Sequence, residues 1–147
     1  MKLTTLLLVA VLGVGPAAAQ DAGWGDLDAL LVRNLSNTGS IEASFWLPDY
    51  GNPTQARRAL GIAYIYIPGS AGSTSISAGI FMRQASGWVM TARVPALFGQ
   101  SPRDHVFAPG VMEVTTTTLA PGDARCCPTK PTRWRVDLST GQASPLN

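Results

Sequence analysis

The stretch Asp123-Ala124-Arg125-Cys126-Cys127-Pro128-Thr129-Lys130-Pro131 carries the most unusual chemistry in the chain, because its two cysteines are adjacent and no third is present. Four states are open to them: a vicinal disulfide closing an eight-membered ring, two free thiols, an intermolecular bridge, or a thiolate pair on a soft metal. Neighbouring α-carbons lie about 3.8 Å apart across a trans peptide, against roughly 5.5 to 6 Å in ordinary disulfides. A Cys126–Cys127 bond therefore makes a stiff turn, with Pro128 restricting its exit. Thioredoxin-like exchange uses the C-x-x-C spacing, which is absent. A soft metal would need help from Met82, Met90, Met112 or His105, and the methionines fall on strand faces that read as core. A pair that shapes the loop, with Cys126 and Cys127 assigned as a disulfide, is the favoured reading. No metal or other cofactor is assigned.

Around this pair Arg125, Lys130, Arg133 and Arg135 form a basic cluster, with Trp134 between the last two. Strand alternation puts Arg133 and Arg135 on one face, where they could grip a small anionic ligand or an acidic protein surface. The competing reading is a solvated outer face partly neutralised by Asp123 and Asp137. The single histidine, His105, follows Asp104, a pairing suited to a general base or a metal ligand. A solvated loop histidine is the commoner occurrence. Phe45, Trp46 and Tyr50 could line a groove for a sugar or peptide, or simply pack. Asn34-Leu35-Ser36 is a formal glycosylation sequon, which matters only in a source that glycosylates such sites. No G-x-S-x-G, H-E-x-x-H or Walker sequence occurs. The loose G-x-G-x-x-A at Gly13 to Ala18 has no βαβ unit around it. A non-enzymatic binding domain thus has more support than an enzyme, with a small hydrolase built on Asp104 and His105 as a further alternative.

Composition narrows the partners. With a formal charge of +2 and 14% charged residues, the chain has neither an acidic tail nor the basic excess of a nucleic-acid binder. Met1 to Ala19 reads as a cleaved secretory signal peptide: Lys2, an apolar run from Leu3 to Val14, then Gly15, Pro16 and three alanines. That run is too short for the roughly 20 residues that span a bilayer. No other stretch offers an anchor after cleavage before Gln20. Loss of Lys2 leaves 10 basic against 9 acidic residues, a nearly neutral exported protein, placed in a bacterial periplasm or secreted.

The elements that must position the cluster follow from pattern. Asp26 as N-cap and the spacing of Leu27, Leu30, Leu31 and Leu35 predict a helix over 27–35. Asn52, Pro53 and Gly61 carry the boundary signals of a second, two-turn helix. Ile41 to Leu47 is a first strand or extended arm, and Ile62 to Ile67, apolar on both faces, a central strand. Thr74 to Val94 alternates as an antiparallel hairpin. Residues 95–110, with Gly99, Pro102 and Pro109, read as a long loop containing at most a short strand at 105–107. Val111 to Leu119 and Arg133 to Leu138 are the last two strands, with the cysteines between them. Residues 20–147 are expected to form a single α+β domain, an antiparallel sheet of about five strands with two short N-terminal helices.

From Gly110 to Gly141 the order strand, acidic turn, Cys-Cys-Pro-Ser/Thr and strand resembles a pattern of exported bacterial β-rich domains. Asp123, Cys126, Cys127, Pro128 and Thr129 carry the likeness. It implies a small extracytoplasmic β-rich domain without a defined activity, so no catalytic residue is transferred. Together these features lead to an exported, non-enzymatic domain that binds a partner or small ligand through the Cys-Cys-Pro loop face, at Arg125, Cys126, Cys127, Lys130, Arg133 and Arg135. A thiol-dependent redox or soft-metal-binding periplasmic protein is the alternative.

Overall fold

The computed structural model of the chain describes residues 23–146. The signal segment expected at 1–19 lies outside them. Among the described residues there is one helix, α1 (Leu27–Leu35), followed by eight strands. These are β1 (Ala43–Pro48), β2 (Arg58–Tyr66), β3 (Thr74–Gln84), β4 (Gly87–Arg93), β5 (Gln100–Ala108), β6 (Val111–Thr118), β7 (Lys130–Asp137) and β8 (Ala143–Leu146). They form two antiparallel four-stranded sheets, each a simple meander in sequence order, β1 to β4 and β5 to β8. The expected α+β domain, with one sheet of about five strands and two helices, is therefore corrected to a mostly β architecture.

The layers follow from which strand faces are apolar. Leu60 and Ile62 of β2 and Ala78 and Ile80 of β3 face the second sheet. They are buried there against Met112 and Val114 of β6 and Trp134 and Val136 of β7. The opposite faces of β2 and β3 carry Ala59, Ala63, Ile65 and Phe81, which pack with Leu30, Leu31 and Leu35 of α1. The first sheet is thus covered on both faces, by α1 and by the second sheet, which explains the unbroken apolar run of β2. α1 starts as its sequence predicts, with Ala29 N donating to Asp26 Oδ1 at 2.9 Å.

The second helix is absent because its signals serve other ends. Asn52 does start a turn: its Oδ1 accepts from Thr54 N, and its carbonyl accepts from Ala56 N. After that single turn the Asp49 carboxylate takes the N–H groups of Arg57 and Arg58, at 2.9 and 3.2 Å, and steers the backbone into β2. Gly61, read as a helix terminator, sits within β2 under α1. A Cβ there would lie 2.6 Å from Leu31 Cδ2 and 2.7 Å from Phe81 Cε2, so glycine permits the close approach of helix and sheet.

The expected loop over 95–110 is also corrected. Most of it is β5, an edge strand whose pairing with β6 slips twice, between Gln100 and Arg103 and between Arg103 and Val106. Ser101 and Asp104 take positive φ at these irregularities, and Pro102 is accommodated there, as bulged edges allow. β8 follows the strand expected to be last and pairs with β7 despite Pro145. Along one side the sheets are stitched by His105 Nε2–H donating to Pro48 O at 2.9 Å and by Arg58, whose Nη1 donates to Ala108 O. On the other side Gly141 lies directly against the Arg93 carbonyl, leaving no room for a Cβ.

Candidate functional site: a cleft beside the vicinal cysteines

At the end of the sandwich that carries the β2–β3 turn and the β6–β7 loop, the two sheets part around an open cleft of about 940 Å³. Ligand sites commonly occupy about 300 to 1,000 Å³. One wall comes from the ends of β2 and β3 (Tyr64, Ile67, Ile76) and the other from β6 and β7 (Thr118, Thr132, Trp134). The β4–β5 connection contributes Phe98 and Gly99.

The floor is held by a satisfied polar network. Thr116, fully buried, donates from Oγ1 to Phe98 O at 2.7 Å and accepts from Trp134 Nε1 at 2.8 Å. The Tyr64 hydroxyl donates to Gly99 O at 2.8 Å, and burial pushes its phenol pKa up. Thr118 and Thr132 share a hydrogen bond between their hydroxyls at 2.6 Å. Gly99 has φ +108°, and a Cβ there would lie 2.5 Å from Thr116 Oγ1, so the connection can press against β6 only as glycine. Phe98 stacks edge-on against Trp134 with ring centroids 4.8 Å apart, while remaining 54% exposed at the mouth.

The β6–β7 loop forms part of the rim. Its fold rests on Asp123, whose carboxylate accepts from Ala120 N and from the backbone and hydroxyl of Thr129. The Ala120 N–H, with further help from Thr129, lowers the Asp123 pKa. Cys126 and Cys127 are both exposed, with their sulfurs at bonding distance in a vicinal disulfide. Cys127 N donates to Ala124 O, closing a turn around the pair. The residues flanking this turn, Arg125 and Pro128, line the cleft, as does Lys130.

The basic cluster of the sequence is therefore split between two surfaces. Arg125 and Lys130 reach the cleft, and their side chains have no hydrogen-bond or ion-pair partner among the described residues. Among the described residues no carboxylate lines the cleft with them. Arg133 lies on the outer face of the second sheet, where its Nε donates to Glu113 Oε2 at 3.1 Å and its Nη1 to Asp104 O and Thr115 Oγ1. Arg135 projects from that same face and is exposed. β7 alternation, with Trp134 and Val136 pointing into the core, separates the pairs.

The other candidate residues are dispersed. His105 is engaged with Pro48, and the Asp104 carboxylate lies 3.7 Å from Arg103 Nε. Phe45 packs with Tyr64 toward the inter-sheet core, Trp46 packs on the opposite face between Phe81 and Trp88, and Tyr50 is exposed. Met112 is buried between the sheets and Met90 packs against the helix-side core. Among the described residues no group of three or more His, Cys, Asp or Glu side chains is placed to hold a metal ion. No described helix is long and apolar enough to cross a membrane. Sequence reasoning missed Tyr64, Phe98, Thr118 and Thr132 as cleft residues, and Thr116 as the buried hydroxyl that ties Phe98 to Trp134. The available signal was β6 itself, where alternation puts two threonines on the face that also carries Met112 and Val114. Comparison with protein-family models, with curated proteins and with solved structures finds no match.

Proposed function

We propose that this chain is an exported, non-enzymatic binding domain that takes a small anionic ligand at the cleft beside the Cys-Cys-Pro loop. The observation carrying this reading is the pair of cations, Arg125 and Lys130, that have no side-chain partner among the described residues, on a cleft whose described lining contains no carboxylate. A cationic rim beside a low-dielectric wall strengthens attraction for an anion over that of an isolated surface charge. The leader-like Met1 to Ala19 supports export to the periplasm or beyond it. The exposed vicinal cysteines lie in the turn between Arg125 and Pro128, in a loop that the Asp123 carboxylate holds in place.

A second reading, thiol-dependent redox chemistry, draws support from the exposure of both sulfurs. One comparison separates the two. Calorimetric titration of the exported protein with a panel of small anions should show saturable binding. Cys126→Ser/Cys127→Ser should largely retain it, and Arg125→Ala/Lys130→Ala should lose it. Saturable binding insensitive to the two cations would overturn the anion reading. Thiol exchange abolished by the serine pair, with no anion bound by the parent, would favour the redox one.

A further inference from the structure

The cleft's polar groups are unevenly committed, and that asymmetry defines the kind of anion it suits. The hydroxyls deeper in the cleft already have partners: Thr116 with Phe98 and Trp134, Thr118 with Thr132, Tyr64 with Gly99, and Ser75 with Ile65 O, while among the lining side chains the exposed Thr74 hydroxyl and Gln100 amide keep their hydrogen-bonding capacity at the mouth. A ligand entering between the sheets would therefore have to displace internal bonds to gain new ones, so a polyhydroxylated or base-like body would bury unpaired groups at a cost. The rim is different in two respects. Arg125 and Lys130 are free to pair, and the large apolar side chains Ile67, Phe98 and Leu119 are 42%, 54% and 49% exposed there. Such side chains scattered singly on a surface are ordinary; three on one cleft, beside two cations, are not.

We infer that the ligand is a free single-chain amphipathic anion, with a carboxylate head held by Arg125 and Lys130 and an apolar body laid against Ile67, Phe98 and Leu119. This rests on the proposed anion-binding role of the cleft and adds the chemistry of the rest of the molecule. Burial of the exposed apolar surface supplies affinity, while the cations fix which end stays at the rim.

The test is isothermal titration of the exported protein with decanoate, decanol, acetate and citrate, all below micelle-forming concentrations. Decanoate should bind at one per chain and outcompete acetate and citrate by about tenfold or more. Arg125→Ala/Lys130→Ala should weaken decanoate by about tenfold or more and leave any decanol binding unchanged. Leu119→Ser should weaken decanoate by about threefold without affecting citrate. All three replaced side chains are exposed, so these variants should keep the fold, which circular dichroism checks. Citrate or acetate binding as tightly as decanoate would overturn the apolar body while leaving the anion reading intact. Decanol binding as tightly as decanoate, with no effect of the double alanine variant, would overturn both. Uptake only onto phosphatidylglycerol vesicles, with no binding of monomeric decanoate, would overturn the free-ligand inference.

Discussion

Replacing Thr116 by valine tests the single hydroxyl that ties the β4–β5 connection to the cleft floor. Thr116 is fully buried, and its Oγ1 bridges Phe98 O and Trp134 Nε1. Valine occupies nearly the same volume, so no cavity opens, yet both partners lose their bond. The interior Trp134 N–H then bears a desolvation cost of about 1–3 kcal/mol, and the partly buried Phe98 carbonyl recovers some of its own from water. The sum is about 2–4 kcal/mol, a large share of the roughly 5–15 kcal/mol that stabilises small domains. Thr116→Ser keeps the hydroxyl and gives up one methyl, costing about 1 kcal/mol. Urea unfolding followed by tryptophan fluorescence reads both variants, with m expected to stay constant. A valine variant within about 0.5 kcal/mol of the parent, or a serine variant less stable than the valine, would refute the hydrogen-bond explanation.

Gly61→Ala should destabilise by about 1–3 kcal/mol in the same assay, because its Cβ drives into Leu31 and Phe81; an unchanged midpoint would contradict the close helix–sheet packing. Asp137 accepts from the backbone and hydroxyls of Ser139 and Thr140, and the Ser139 hydroxyl leads in holding its pKa down from 3.8 to about 2. Its folded value is depressed, so its contribution is present above about pH 4 and disappears as pH falls toward 2. Asp137→Asn should flatten stability over that acid window, and a parent-like slope in the variant would count against the turn's role. Intact mass after alkylation under denaturing, non-reducing conditions should show a monomer that takes no label until it is reduced. Two labelled thiols without reduction would exclude the vicinal disulfide.

Much of the local structure was legible because it depends on local signals. The α1 helix, the β3–β4 hairpin, the second half of β2 and the positions of β6 and β7 follow from caps and from apolar periodicity. The division into two sheets did not, since the break falls at the β4–β5 connection. There Val94 and Leu97 enter the core between the sheets while the chain leaves one meander for the other. β5 was hidden by Pro102 and its two slips in pairing, and β8 by its short length and Pro145. Asn52, Pro53 and Gly61 misled for a more instructive reason: helix-boundary residues also serve a single Asx turn and a close sheet–helix contact. At the candidate site, alternation correctly kept Arg133 and Arg135 together but could not show that Lys130, with the parity of Trp134, turns toward the cleft. The cleft's opposite wall comes from residues more than 40 positions earlier in the chain, a juxtaposition that only strand pairing and sheet packing create.

The most direct test of the cleft as the ligand site is an amide-resolved NMR titration of the exported protein with decanoate. Saturable shifts should concentrate in Phe98–Gln100, Thr117–Leu119 and Arg125–Thr132, with the outer-face strand positions Glu113, Arg133 and Arg135 little changed. Shifts centred on that outer face, or none at concentrations that saturate the calorimetric signal, would contradict binding between the sheets.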